Sequence, residues 1–310
     1  MMAGNTAKKP ANRMRTPQAR AAKLTASTVA ELAYRLTSRD RELLALVWEH
    51  RVLTTGQLTA ILFPSPERAR QRLNRLHVYQ ALQRFRPWTP VGSMPWHWVL
   101  GRTGAQVLAI GQGQTLTEFG YRSDTALAFS VSSRLGHQVG VNDFFTRLHA
   151  YARARSDGTM LAEWWSERRC AAQWGDLARP DAFGRWIQPR TGRDEAPQTL
   201  DFFLEHDTGT ETLARVTRKL GGYADLAEAT GTTTPVLFWL PSTAREANLR
   251  RLLGTPEVPV ATAVQTPATD FEGPAGQVWL PTGNEAGRRR ELAELADIWL
   301  TARPAKVEPS

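Results

Sequence analysis

The sequence predicts a protein of the α+β and α/β type, with an N-terminal winged helix-turn-helix followed by an α/β domain on a mixed central sheet. Three observations predict it. Residues 37 to 102 hold three capped, amphipathic helical segments and then a turn-rich interval between two short apolar runs. From residue 130 onward, helix-period and strand-period segments alternate. The charge is also split. The 310 residues suffice for two cores, and the formal net charge is +9.

In the first unit, Thr37 or Ser38 caps a helix, with Asp40 set as in a capping box and Leu43, Leu44, Leu46 and Val47 as its apolar face. The helix ends near His50. Thr54 or Thr55 caps a second helix that buries Leu58, Ile61, Leu62 and Phe63, and Pro64 stops it. Ser65 caps the third helix, with Pro66 at its first position, where no amide donor is missed, and Glu67 against the positive end of the dipole. This helix, to Tyr79, buries Ala69, Leu73, Leu76 and Val78. Arg68, Arg72 and Arg75 then share one exposed face, which Arg70 flanks. Leu82 to Arg86 and Trp96 to Leu100, joined through Pro87, Pro90, Gly92 and Pro95, predict a wing that carries Arg84 and Arg86. Thr103 to Gly111 is a closing helix.

The second unit predicts a long amphipathic helix over His137 to Ala154 and strands at Met160 to Trp165, Asp181 to Ile187 and Thr199 to His206. A helix over Thr210 to Ala224, a strand over Thr234 to Leu240 and a helix over Ala244 to Leu253 follow. Pro256 to Gly276, rich in Pro, Thr and Ala, reads as a loop. A last strand over Gln277 to Leu280 precedes a helix over Asn284 to Ala302. The expected divisions are a disordered basic arm over 1–35, the winged helix over 36–115, the α/β domain over 130–302 and a disordered tail over 303–310.

Charge points to the partner. Residues 1–36 carry seven basic groups against Glu31, and residues 37–115 carry ten against four acids, so the remaining residues are mildly acidic. A polyanion therefore meets the N-terminal third first. Arginines on a helix that fits the major groove, Arg68, Arg70, Arg72 and Arg75, with Arg84 and Arg86 on the wing, point to double-stranded DNA. No apolar run reaches the roughly 18 to 20 residues that span a bilayer, and no apolar h-region of a secretory signal is seen, so a cytoplasmic protein without a membrane is expected. Cys170 has no second Cys for a disulfide and reads as a buried thiol. Paired tryptophans such as Trp96 and Trp98, or Trp164 and Trp165, read as packing because their neighbours are apolar.

Within the α/β order, Asp181 opens one strand, Glu205 and Asp207 end the next, and Lys219 stands on the helix that follows. Carboxylates converging from adjacent strand ends suit Mg²⁺, which takes hard oxygen ligands and positions water for attack on a phosphodiester. Strand termination and solubility explain such acids equally well.

Arg179-Pro180-Asp181-Ala182, then Phe202 to Glu211 (FFLEHDTGTE), then Lys219-Leu220 and Tyr223, together with His137, Val141, Asn142 and Asp143, resemble the replication-relaxation family of actinobacterial plasmids and integrative elements. The resemblance covers about residues 36 to 255 and implies plasmid replication and DNA relaxation, with replication or transfer proteins as partners and a homodimer as a candidate assembly. The second half is also similar to the restriction-endonuclease-like, or PD-(D/E)xK, superfamily. That likeness implies catalytic roles for Asp181, Glu205, Asp207 and Lys219, and a Mg²⁺ held by Asp181, Glu205 and Asp207. Asp207 stands where the pattern has Lys, and Lys219 is the candidate substitute; Glu211 and His137 are candidates to orient those ligands or to replace one, and equally to be capping or surface groups.

Three readings stay open: a Mg²⁺-dependent nickase or endonuclease, a non-catalytic replication regulator of the same fold, and a transcription regulator with a ligand pocket. A relaxase with a tyrosine nucleophile is disfavoured, because the six histidines form no His-x-His or three-His arrangement, and Tyr223 reads as a core aromatic.

Overall fold

The computed structural model describes residues 34–190, 195–265, 273–283 and 287–300. The basic arm, Tyr34 and Arg35 apart, and the tail over 303–310 lie outside them. The first unit runs α1 (Ser38–Glu49), β1 (Leu53–Thr54), α2 (Thr55–Leu62), α3 (Pro66–Val78), β2 (Leu82–Phe85), β3 (His97–Leu100) and α4 (Arg102–Gly111). Its strands form an antiparallel sheet in the order β1-β3-β2.

The helix starts follow from local hydrogen bonding. Thr37 Oγ1 accepts from the Asp40 amide at 3.2 Å while the Thr37 amide donates to Asp40 Oδ2 at 2.8 Å. Thr54 and Gln57 repeat this reciprocal cap at α2, and Ser65 with Pro66 opens α3. Val78 departs from expectation: it is 75% exposed, because α3 ends there and the chain turns away.

Arg72 is a second correction. Its Nε donates to Asp40 Oδ1 at 2.7 Å and its Nη2 to Oδ2, so it ties α3 to α1 instead of standing free on the exposed face. Asp40 is fully buried. Burial alone would raise its carboxyl, but the bonds from Arg72 and Thr37 outweigh that and hold it below its ordinary value. The Asp40→Asn substitution should cost about 3 kcal/mol, read by denaturant unfolding, since it leaves the guanidinium without its countercharge. A depressed carboxyl contributes stability that is present above the unfolded-state value and lost as pH falls through the folded one, so wild type should weaken in acid where Asp40→Asn changes less.

Beyond α5 (Ser123–Ala128), the second unit runs α6 (Leu135–Ala154), β4 (Met160–Ser166), α7 (Glu167–Trp174), β5 (Ala182–Gln188), β6 (Gln198–His206), α8 (Leu213–Thr230), β7 (Val236–Leu240), α9 (Thr243–Leu253), β8 (Val260–Val264), β9 (Leu280–Pro281) and α10 (Leu292–Leu300). The sheet is mixed, in the order β4-β5-β6-β7-β8-β9. The β6–β7 and β7–β8 pairs are parallel and the rest antiparallel. The parallel centre needs crossover helices, which α8 and α9 supply, and its strand β7 is apolar and buried throughout. One face packs Phe144, Phe145, Trp186, Phe202 and Trp279; the other packs Cys170, Phe183, Phe203, Tyr223 and Phe238.

Three elements differ from expectation. Glu167 to Trp174 turns into α7 because Ser166 caps it, its Oγ accepting from the Arg169 amide at 3.3 Å. The expected loop after Pro256 contains β8, whose Val-Ala-Thr-Ala-Val is buried at every position. The last strand is confined to Leu280–Pro281, and the described part of the terminal helix begins at Leu292.

The two units share a continuous apolar cluster. Asn142 Nδ2 on α6 donates to the carbonyls of His50 (3.3 Å) and Val52 (2.5 Å), and Gln57 Nε2 donates to Val139 O at 3.0 Å. The His50 ring stacks on Trp164 with centroids 3.5 Å apart, and burial keeps that imidazole well below its ordinary pKa, hence neutral. Arg153 covers the last carbonyls of α2, donating to Ala60, Ile61 and Phe63.

Candidate functional site

Two surfaces collect the candidate residues. The first is a basic groove of about 480 Å³ lined by Arg39, Arg68, Gln71, Arg72 and Arg75. Arg68 and Arg75 are exposed on α3, and no ion pair holds either among the described residues. Arg39 joins them from α1, its guanidinium lying 4.7 Å over the Phe63 ring. Arg70 points aside and pairs with Glu67. On the hairpin, Arg84 and Arg86 lie at 4.2 and 4.3 Å over the Trp96 ring, and Arg84 Nη1 donates to Asn74 Oδ1 at 2.6 Å. This contact with α3 draws the hairpin arginines to the same edge as the helix.

The second surface is a cleft of about 660 Å³ where α6, β5, β6 and α8 meet. Antiparallel register sets Ala182 against Leu204, and the Asp181 amide donates to Leu204 O at 3.1 Å, so Asp181 and Glu205 fall on the next rung. Alternation along the strands turns both toward the α8 side. Asp181 Oδ1 lies 3.1 Å from His137 Nε2, and Oδ2 accepts from the His206 amide at 2.8 Å. Glu205 is 3% exposed, and its two oxygens accept from Lys219 Nζ and Tyr223 OH.

The electrostatics follow from this packing. Burial, and then the Asp181 charge, push Glu205 up to about 7 against the pull of Lys219 and Tyr223. Burial would also raise Asp181, but His137, Lys219 and the His206 amide outweigh it and hold the carboxyl below its ordinary value. For His137 and Lys219 burial alone would lower the pKa; the neighbouring carboxylates reverse this and keep both raised. His206, buried next to His137, falls to about 4, and its Nδ1 has no hydrogen-bond partner among the described residues. A Cβ on Gly140 would sit 2.5 Å from Cε1 and Nε2 of His206, so α6 approaches this ring only through a glycine. Gly140→Ala should therefore cost about 1–3 kcal/mol in thermal or denaturant unfolding, because a packed ring must move.

The expected convergence of three carboxylates is corrected to two. Asp207 lines the cleft, but Arg245 Nε reaches its Oδ2 at 2.6 Å and the Gly209 amide donates to its Oδ1 at 2.6 Å. Among the described residues, no group of three or more His, Cys, Asp or Glu side chains could hold a metal. Mg²⁺ commonly uses only one or two protein carboxylates, taking waters and substrate phosphates for the rest. Asp181 and Glu205 offer two carboxylates to such a donor set, and both line the cleft. Glu211 lies at the rim, within 3.6 Å of Arg215.

Residues 44–237 match the replication-relaxation family. The chain belongs to that family. Membership ties it to the replication or relaxation of plasmids and mobile elements. No curated protein and no solved structure matches the chain. Within this replication-relaxation chain, the matched stretch contains α3, Asp181, Glu205 and Lys219. No helix among the described residues is long and apolar enough to cross a membrane. Cys170 is fully buried, and burial pushes its thiol up to about 12, which leaves little thiolate at neutral pH.

Sequence reasoning on this family member missed Arg39, the Tyr223 contact, His206 and Arg245. Tyr223 stands four residues beyond Lys219, a spacing that places both on one helix face, and that was the available signal. Arg245 reaches Asp207 across 38 residues of chain, and nothing local announced it.

Proposed function

We propose that this replication-relaxation protein binds double-stranded DNA through α3 and the β2–β3 hairpin, used as a winged helix-turn-helix, and nicks DNA in the Asp181–Glu205 cleft with Mg²⁺. The observation that carries the reading is Lys219 seated on Glu205, beside an Asp181 that follows Pro180. Two acids and a lysine from adjacent strands and the next helix are the donor chemistry of PD-(D/E)xK nucleases, with the lysine moved onto the helix. Arg68 and Arg75, with Arg39, supply phosphate contacts, and Arg84 and Arg86 extend them along the hairpin. Arg72 positions α3 through Asp40, and Arg70 flanks the face.

Asp181 and Glu205 are the residues that would hold the ion. Bound there, Mg²⁺ would supply Lewis-acid stabilisation of phosphoryl oxygens and a more acidic water. Lys219, kept protonated by Glu205 and Asp181, acts as an electrostatic partner to developing negative charge at phosphate, not as a base. Glu205, raised to about 7 without a cation, would be held ionised by a bound ion, so its part is to hold the ion and to keep Lys219 in place. Asp207, locked to Arg245, holds the turn after β6.

Supercoiled plasmid incubated with the full chain and Mg²⁺ should convert to open circle, and Asp181→Asn should abolish the conversion. Absence of nicking with either Mg²⁺ or Mn²⁺ would remove the nuclease half. A second reading, a non-catalytic replication or transcription regulator, is favoured by one observation: His137 and Lys219 already neutralise the two carboxylates, as a purely structural network would require. In that reading DNA binding persists and recruitment of replication or transfer proteins, or a second copy of the chain, carries the function.

A further inference from the structure

A separate cavity of about 180 Å³ lies between α1 and the segment around Tyr121. Its walls include the rings of Trp48, Tyr121 and Phe129, and its lining includes the guanidinium-bearing Arg51, Arg122 and Arg168. Arg168 lies 4.7 Å over the Trp48 ring, whose other face is stacked on Phe119 at 4.6 Å, so Trp48 offers its edge, and Arg51 lies 6.0 Å from the Phe129 centroid. Tyr121, a lining residue, donates its OH to Leu100 O at 3.2 Å, which fixes its ring. Arg51 is one of two non-glycine residues among the described residues with a left-handed backbone, at φ 66°, a conformation that needs support from its surroundings.

The charge around this pocket is unbalanced. Glu49 is shared among the Ser166 amide, its hydroxyl and Arg168 at 3.5 Å, and Glu167 is taken by Arg134 at 2.7 Å. Neither Arg51 nor Arg122 has an ion-pair partner among the described residues. Burial above all, and then the Arg168 charge, lower the Arg51 pKa, with Glu167 pulling the other way. Flat rings with convergent guanidinium groups are the chemistry that takes a nucleobase on a π-face and the adjoining phosphate on a fork of N–H donors. A cavity well under the roughly 300 Å³ of the smallest drug-sized sites suits one planar ring system and excludes a duplex. The pocket also adjoins the acidic cleft, because Glu167 lines one and Arg168 the other.

We propose that this pocket holds one unpaired nucleotide of a DNA strand, its base between Tyr121 and Phe129 against the edge of Trp48 and its phosphate on Arg51, Arg122 and Arg168, next to the strand presented to the Asp181–Glu205 cleft. The proposal rests on the reading that DNA is the substrate, and it adds a separate single-strand subsite to the duplex-binding groove. It assigns the local unpairing that a nicked or relaxed strand offers to a particular place in the fold.

The test is fluorescence anisotropy of the full chain with a labelled oligothymidine of about 15 nucleotides, near the upper end of single-strand site sizes, and with a matched duplex. Arg122→Gln is the main variant, since the side chain is exposed and no fold contact is removed; Arg51→Gln and Trp48→Phe accompany it. Arg122→Gln should weaken oligothymidine binding about tenfold while duplex binding changes less than about twofold. An abasic oligomer of the same length should bind more weakly than oligothymidine. Equal binding of oligothymidine by wild type and all variants would overturn the pocket, as would equal binding of the abasic oligomer. Loss of duplex binding in wild type would instead overturn the DNA reading itself, so the two failures are distinguishable.

Discussion

Replacing Arg39, Arg68 and Arg75 together by alanine should weaken duplex binding about 500-fold near 0.1 M salt, because each neutralised phosphate is worth about 0.9 of a decade there. The slope of log K against log salt should fall by about 2.7 in magnitude, measured by anisotropy across a salt series. These three arginines are free of ion pairs in the described structure and line one groove, so their removal leaves the core intact. Arg72 is left out deliberately. Its guanidinium is bound to buried Asp40, and its loss would confuse weakened binding with weakened folding. Unchanged affinity in the triple variant would exclude α3 as the DNA-facing element.

The second large effect is at Lys219. Lys219→Met should lower Mg²⁺-dependent nicking by about 10²–10³-fold, the scale seen when one positioned donor to transition-state charge is removed. The same substitution strips Glu205 of its cation while Asp181 stays close, so the Glu205 carboxyl should titrate above 7. A carboxyl raised in the folded state binds its proton more tightly there than in the unfolded chain. Its contribution to stability therefore falls as pH rises from the ordinary carboxylate range to the folded value, and is flat beyond it. That falling window should extend to higher pH in Lys219→Met than in wild type, read as the pH dependence of the denaturation midpoint. A variant that keeps full nicking activity would leave Lys219 as a purely structural countercharge.

What could be read from the sequence was whatever short-range chemistry decides. Thr37 with Asp40 and Ser65 with Pro66 announce helix starts because the partners lie within three residues. Asp181 and Glu205 were legible as a pair because consecutive antiparallel strands place the start of one beside the end of the next. Arg72 and Asp207 were misjudged for the opposite reason: their partners, Asp40 and Arg245, are 32 and 38 residues away, and only the packing of α3 on α1 and of α9 on the end of β6 brings them together. Strand β8 was hidden by its alanines and threonine, which look loop-like until neighbours bury them. The shared core of the two units was equally hidden, since an Asn142 that bonds the backbone of His50 and Val52 looks like any polar point on an amphipathic helix.

That shared core gives the account its most direct test. With α2 held by Arg153 and Gln57, and the segment before β1 held by Asn142, the basic groove and the acidic cleft sit in a fixed relation. Footprinting with Asp181→Asn and nick mapping with wild type on the same plasmid measure that relation. The account predicts a Mg²⁺-dependent nick at one constant offset from the protected tract, absent in Asp181→Asn. A nick that scatters relative to the footprint, or persists in Asp181→Asn, would contradict it.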